Sequence, residues 1–235
     1  MKILGTICAR GGSKGIKNKN IRMLLGKPLI AHSIETMKAW GEADRIVCST
    51  DSQEIQKVAR DYGAEAPFTR SKELATDTAG KLEVLKHMLK FCEDEEDSKY
   101  DYIVDLDPTS PLRLVKDIEN AFKRLIEINA DLILSVYRAR KNPYFNMIEL
   151  DTEGYAQICK KPESNLMSRQ QAPQVYAVNA SIYIYKRDYL VNISNLLEGK
   201  VVIYEMSDYS IDIDRPIDFD FIEFIVNKGV FKFDY

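Results

Sequence analysis

Cysteine, histidine and tryptophan are scarce in this chain, and each scarcity removes a class of protein. Four cysteines, Cys8, Cys48, Cys92 and Cys159, are scattered over 235 residues with no C-x-x-C pair. That spacing excludes a disulfide scaffold and a cysteine-rich metal module, and it leaves reduced, mostly buried thiols. His32 and His87 are the only histidines; both fall in helical patterns without a partner at ligand spacing, so neither is assigned chemistry. The single tryptophan, Trp40, reads as packing at a helix end. No segment approaches the roughly 20 apolar residues that span a bilayer, and the apolar run at 2–9 is too short for a signal-peptide core and meets charges at once. A cytoplasmic protein with no membrane partner is the expectation. The net charge of −3 lacks the surplus of cations that general nucleic-acid binding requires. Both common nucleotide loops are missing as well: there is no G-x-x-x-x-G-K-[ST] string, and G-x-G-x-x-G fails because Ser13 stands two residues after Gly11. Internal repeats and low-complexity tracts are absent, and the acidic run EDEEDS at 93–98 reads as a solvated loop after a helix.

What is present is an ordinary globular composition, 45% hydrophobic and 29% charged, in a chain long enough to bury a sizeable core as one domain over 1–235. Short β-branched apolar runs recur at 2–8, 45–50, 102–106, 131–137, 177–185 and 201–205. Between them lie helical patterns such as Ile55, Val58, Ala59 and Tyr62, or Leu82, Leu85, Met88 and Leu89. Strand–helix alternation of this kind predicts an α/β fold with a mainly parallel sheet covered by helices, and ligands at the carboxyl ends of the strands. The alternation breaks at 140–175, where prolines and mixed polarity suggest an inserted subdomain, either a dimerisation arm or a lid.

The first strand runs directly into RGGSKGIKNKN. Glycines let backbone N–H groups approach an anion, while Arg10, Lys14 and Lys19 neutralise it and Ser13 donates a hydrogen bond, so the segment reads as a polyphosphate loop. Lys17 reads as solvent-facing charge. Two D-x-D strings stand out, Asp105–Leu106–Asp107 and Asp212–Ile213–Asp214. In extended backbone, residues two apart share a face, so either pair could converge on one hard cation, and with a phosphorylated ligand that cation is Mg²⁺. Asp51, with Glu54 three residues later, reads as the N-cap of the next helix.

Taken in order, ICARGGSKGIKNKNI, STDSQEI, TRSKELATD, LDPTSPLR, SRQQAPQVYAVNASIYIY and SIDIDRPID resemble the acylneuraminate cytidylyltransferase family across residues 3–218. The resemblance implies a nucleotide-diphospho-sugar transferase fold that forms homodimers through the inserted arm. It also implies a Mg²⁺-dependent transfer of CMP from CTP to a nonulosonic acid. It puts Arg10, Gly12, Ser13, Lys14, Lys19 and Asn20 around the CTP phosphates and Arg70 on the nucleotide, with Lys19, Lys14, Arg10 and Asp214 carrying the catalytic work. Asp107, Arg169 and Asn179 then face the sugar, and Asp212 and Asp214 hold the metal.

The chain departs from that family where sialic-acid-activating relatives usually have glutamine before PTSPLR and this chain has Asp107. An acid for an amide changes what a sugar substituent meets, which points toward a sialic-acid analogue such as legionaminic acid. A second departure puts Ala180 where Asn179 is usually followed by glycine, and a third leaves Arg70 without its usual following proline. Competing readings are a 3-deoxy-octulosonate cytidylyltransferase and a metal-dependent glycosyltransferase that uses the Asp105/Asp107 pair.

Overall fold

A computed structural model describes residues 1–13, 15–76, 80–161, 169–206 and 211–235, with Arg169 described by its main chain alone. In chain order the elements are β1 (Ile3–Cys8), β2 (Met23–Leu24), β3 (Lys27–Pro28), α1 (Leu29–Trp40), β4 (Arg45–Ser49), α2 (Gln53–Tyr62) and α3 (Lys81–Glu96). There follow β5 (Tyr102–Leu106), α4 (Val115–Ile128), β6 (Leu132–Arg138), β7 (Ile148–Leu150), β8 (Ala156–Ile158), β9 (Tyr176–Lys186), α5 (Arg187–Asn192), β10 (Val201–Glu205) and α6 (Pro216–Asn227). The six apolar runs read from the sequence are the six strands of the central sheet. Its order is β10-β6-β9-β5-β1-β4. Every pairing is parallel except those of β9, which runs against β5 and β6.

Alternation along the strands builds two cores, because successive residues point to opposite faces. Ile3, Val104, Ile133 and Ile184 pack under α1 and α4 with Trp40 and Leu125. Their neighbours Leu4, Ile103, Leu132 and Tyr185 pack under α3 and α5 with Leu85, Met88 and Leu190. Trp40 meets Phe122 edge-on at the end of α1, which is the packing role expected of it. A smaller core joins Leu24, Leu29, Leu112 and Ile213 to Phe219 and Ile222 of α6, tying the C-terminal segment to the carboxyl edge of the sheet.

Two local readings are corrected. The acidic run at 93–98 is not a loop throughout: Glu93 to Glu96 form the last turn of α3. Acids at a helix C-terminus oppose the dipole, and here cations compensate them. Arg45 lies 2.7 Å from Glu95 and 3.1 Å from Glu96, and Arg187 lies 2.9 Å from Glu93. The N-cap of α2 is Ser52, whose hydroxyl accepts from Ile55 N, and Asp51 is thereby released for another contact. All four cysteines are free thiols, with Cys48 and Cys92 buried and Cys8 and Cys159 half-buried. Burial pushes Cys48 up to about 12 and Cys92 up to about 11, so neither is a nucleophile at neutral pH. Within 140–175, β7 and β8 form an antiparallel hairpin that stands off the main sheet. No helix among the described residues is long and apolar enough to cross a membrane.

Candidate active site

Because five strands run one way, the carboxyl ends of β1, β4 and β5 meet at one edge of the sheet, and a cleft of about 250 Å³ opens there. One side is lined by Arg10, Ser13, Lys19, Asn20 and Arg70. Facing them are Lys81, Asp107 and Thr109. Sequence reasoning therefore identified the cationic side almost completely, while Lys81 escaped it.

The loop after β1 is held by contacts that its glycines permit. Asp51 Oδ1 accepts from Gly11 N at 2.7 Å, and Asn20 Nδ2 donates to the Arg10 carbonyl at 3.0 Å. A Cβ on Gly15 would sit 2.7 Å from the carbonyl oxygen of Asp214, closer than any side chain tolerates. Gly12 faces open space, which leaves its backbone approachable. Lys19 extends the same contact: its Nζ donates to the Ile213 carbonyl at 2.7 Å and lies 3.5 Å from Asp214 Oδ1. Loop and aspartate segment, 195 residues apart in sequence, are thus stapled together twice. Arg70 is buried against the end of β4, donating from Nε to Ser49 Oγ at 2.9 Å and from Nη2 to the Ser49 carbonyl at 2.5 Å. Lys17 is exposed, as expected. Lys14 lies outside the described residues, as does the side chain of Arg169.

The two D-x-D strings part company here. Asp105 and Asp107 do converge on one cation, but the cation is Lys81. Its Nζ lies 2.6 Å from Asp105 Oδ2 and 3.1 Å from Asp107 Oδ2. Thr6 Oγ1 donates to Asp105 Oδ1 at 2.9 Å, and Thr109 donates to Asp107 Oδ1 from both its main-chain N (3.0 Å) and its hydroxyl (2.9 Å). Burial works against charge on both Lys81 and Asp107. Asp105 and then Asp107 outweigh burial at the lysine and hold it well above its ordinary value, while Lys81 and the Thr109 hydrogen bonds hold Asp107 below its own. This pair is not an open metal site, and the glycosyltransferase reading that depended on it loses its metal motif.

Asp212 and Asp214 are arranged differently. Ile213 between them is fully buried and its N–H donates to the Thr109 carbonyl at 2.8 Å, so the flanking carboxylates turn the other way. Asp214 is 76% exposed, and both it and Arg215 donate backbone N–H groups to Asp218 Oδ2 at 3.0 and 2.7 Å, which caps α6. Ser110 Oγ lies 3.3 Å from Asp212 Oδ1 and donates to the Asn179 carbonyl at 2.6 Å. Partial burial, then the charges of Asp107 and Asp214, push Asp212 above its ordinary value despite Thr109 and Lys19. Such a pair is short of positive charge. Among the described residues no three histidine, cysteine or carboxylate side chains gather as a ready metal cage.

Asn179, expected at the sugar, faces the interior instead. Ser135 Oγ donates to its Oδ1 at 2.6 Å, and the residue is 2% exposed. Its main-chain carbonyl accepts from Ser110 Oγ, the same hydroxyl that lies 3.3 Å from Asp212 Oδ1. Sequence reasoning also passed over Arg113, which is fully buried and donates to Asp107 O, Ser181 O and Ser33 Oγ while its Nε has no acceptor among the described residues. Its place in PTSPLR was the only available signal. His32 accepts from Tyr235 and donates to the Leu24 carbonyl, a neutral structural role in keeping with a value lowered by burial.

A cytidylyltransferase family model matches residues 4–232. The chain is 40% identical over 228 residues to post-translational flagellin modification protein B of Campylobacter coli, covering 97% of this chain and 96% of that one. It is likewise 40% identical to the CMP-N,N′-diacetyllegionaminic acid synthase of Campylobacter jejuni subsp. jejuni, with 96% and 95% covered. Among solved structures it is similar in fold to a CMP:2-keto-3-deoxy-manno-octonic acid synthetase complexed with CTP. The TM-score is 0.72 at 18% identity, covering 97% of this chain and 100% of that one.

Proposed function

This chain belongs to the cytidylyltransferase family, and from that premise we propose that it transfers CMP from CTP to the anomeric hydroxyl of a nonulosonic acid, releasing pyrophosphate. The acid we assign is legionaminic acid or a close sialic-acid analogue. The observation that carries the reading is the close approach of Lys19 and Gly15 to the Asp214 segment, which brings a carboxylate pair against the cationic anion loop. A phosphate loop alone would suit many enzymes; joined to acidic oxygen donors it suits nucleotidyl transfer. The test is pyrophosphate release by purified protein with Mg²⁺, each of the four nucleoside triphosphates and a panel of nonulosonic acids. Release with CTP and a diacetylated nonulosonic acid is expected; no release with CTP and any of the panel overturns the reading.

In this mechanism Arg10, Lys19 and Lys14 bind the triphosphate, and Ser13 and the loop N–H groups orient it. Charge accumulates on phosphoryl and pyrophosphate oxygens as the bond to the leaving group breaks, and cations such as Arg10 and Lys19, which line the cleft, stabilise it. Asp212 and Asp214 fit a divalent hard cation: both donors are oxygen, they repel one another, and Asp214 is exposed beside the anion-loop residue Lys19. When bound, Mg²⁺ neutralises phosphate charge and acts as a Lewis acid. Arg70 braces the end of β4 on the nucleotide side, and Asp107 meets the sugar acid.

A homodimer and a cytoplasmic location belong to the same reading. The β7–β8 hairpin exposes Ile148 and Leu150, 67% and 70% accessible, with Tyr155 beside them. An isolated two-stranded hairpin is marginal in water, and a second copy of the chain supplies the missing cover. Sedimentation of Leu150→Glu against the unaltered protein tests it: a shift from dimer to monomer is expected.

A further inference from the structure

The wall opposite the cationic loop carries charge that the proposed reaction has not yet used. Asp105, Asp107, Lys81 and Arg113 make a cluster of two carboxylates and two cations, neutral as a whole. Asp105 and Arg113 are fully buried. Only Asp107 and Lys81 reach the cleft, with side chains 20% and 31% exposed. Lys81 also lies 4.7 Å over the Tyr183 ring, which fixes the direction of its ammonium.

Lys81 stands at the first position of α3, where the helix dipole and unpaired N–H groups disfavour a cation. Helix stability therefore does not explain it, whereas the carboxylates do. Both proposed substrates are anions, a triphosphate and a sugar acid. The phosphates have Arg10 and Lys19 on the far wall, so the sugar acid is the ligand left to meet Asp107. A bare carboxylate there would repel it, strongly so in a partly buried cleft.

We propose that Lys81 is a specificity-determining residue that cancels the charge of Asp107, so that Asp107 meets the sugar acid as an acceptor for a neutral donor, an amide N–H or a hydroxyl. The two oxygens divide the work. Oδ1 is held by the Thr109 N–H and hydroxyl at 3.0 and 2.9 Å, which sets the carboxylate's orientation. Oδ2 is shared with Lys81 at 3.1 Å and keeps acceptor capacity toward the cleft. Asp105, with Thr6 on its other oxygen, anchors the lysine from below.

This inference rests on the cytidylyltransferase reading, and the first measurement separates the two. Wild-type protein is assayed with CTP and N,N′-diacetyllegionaminic acid and with N-acetylneuraminic acid; no turnover with either is a failure of that reading. With the better substrate, Lys81→Met is expected to raise the sugar-acid KM about tenfold or more while the CTP KM moves less than about threefold. Adding Asp107→Asn to Lys81→Met is expected to recover most of that loss, because the double variant has no surface charge left to cancel. A lysine that only braces the fold would not be rescued by losing its partner. If circular dichroism shows Lys81→Met unfolded, Lys81→Gln is measured in its place, alone and with Asp107→Asn. An unchanged sugar-acid KM, a rise confined to CTP, or no rescue by Asp107→Asn overturns the proposal.

Discussion

The two D-x-D strings share a spacing and differ in everything that surrounds it. Asp105 and Asp107 end a central strand with neighbours on both sides, beneath the first turn of α3, and the helix delivers a lysine to them. Asp212 and Asp214 flank a buried isoleucine in the segment leading into α6, where the nearest side-chain cation among the described residues is Lys19, 3.5 Å from Asp214. Spacing alone makes two carboxylates converge. Whether the cation between them comes from the chain or from solution depends on what packs over the site, and a strand-end motif cannot report that by itself.

Asp105→Asn is the sharpest way to break the comparison. It removes the fully buried partner of Lys81, and breaking such a pair costs about 3–5 kcal/mol. A clear fall in the urea midpoint is expected, whereas Asp214→Asn, at an exposed position, should stay within about 0.5 kcal/mol of the unaltered protein. Equal losses for the two variants would erase the distinction drawn between an internal ion pair and an open one.

Activity should rank them in the opposite sense. Asp212→Asn and Asp214→Asn are expected to lower kcat roughly 100- to 1,000-fold, the scale on which removing one electrostatic stabiliser of a transition state acts, with unchanged circular dichroism. Full activity in both variants, measured as pyrophosphate release, would show that this pair is not the metal site.

The pH dependence of stability provides a gentler contrast, because the strings shift in opposite directions. Asp107 is held below its ordinary value, so its contribution is present above the unfolded value of about 4 and is lost as pH falls through the folded one. Asp212 is raised, so its contribution is present below the unfolded value and is lost as pH rises through the folded one. Asp107→Asn should therefore be less stable than the unaltered protein at pH 7, with the gap narrowing below pH about 4. Asp212→Asn should be as stable or slightly more so at pH 7, and that difference should shrink on acidification. Urea midpoints across this range that move in the same direction for both variants would contradict the assignment.

The same contrast explains how far the sequence could be read. All six strands of the sheet were legible because each is a short apolar run rich in β-branched or aromatic residues, and the anion loop was legible because glycines and cations crowd one stretch. Lys81 was not, since a lone lysine at a helix start carries no local pattern. It gains meaning only when β1, β5 and α3 bring Thr6, Asp105 and Asp107 around it. Helix α6 was missed for a related reason. It is apolar on both its inner face, at Phe219 and Ile222, and its outer face, at Phe221 and Phe224, so no clean period marks it. Asp51 was misread because Ser52, one residue on, competes for the same cap, and only the fold brings Gly11 within reach of the aspartate.

The smallest expected effect lies one residue from Asn179, on the strand that supports Ser110 and, through it, Asp212. Ala180 has φ +52°, in the left-handed region, where the β6–β9 register shifts between Leu134 and Val136. A Cβ in that region costs about 1–2 kcal/mol, while glycine there loses about 0.4–1 kcal/mol more chain entropy on folding. The difference favours Ala180→Gly by roughly 0.5 kcal/mol, reduced by whatever the alanine methyl contributes beside the α3 core. For a chain of this size the melting temperature should rise by about 1–2 °C. Because the bulge carries Asn179 and Ser181, whose carbonyls hold Ser110 and Arg113, relief of strain without displacement should leave pyrophosphate release unaltered. A drop in kcat accompanying the gain in stability would instead mean that the strained alanine sets the position of the Ser110–Asp212 contact, and that the open carboxylate pair depends on the bulge as strongly as the closed pair depends on Lys81.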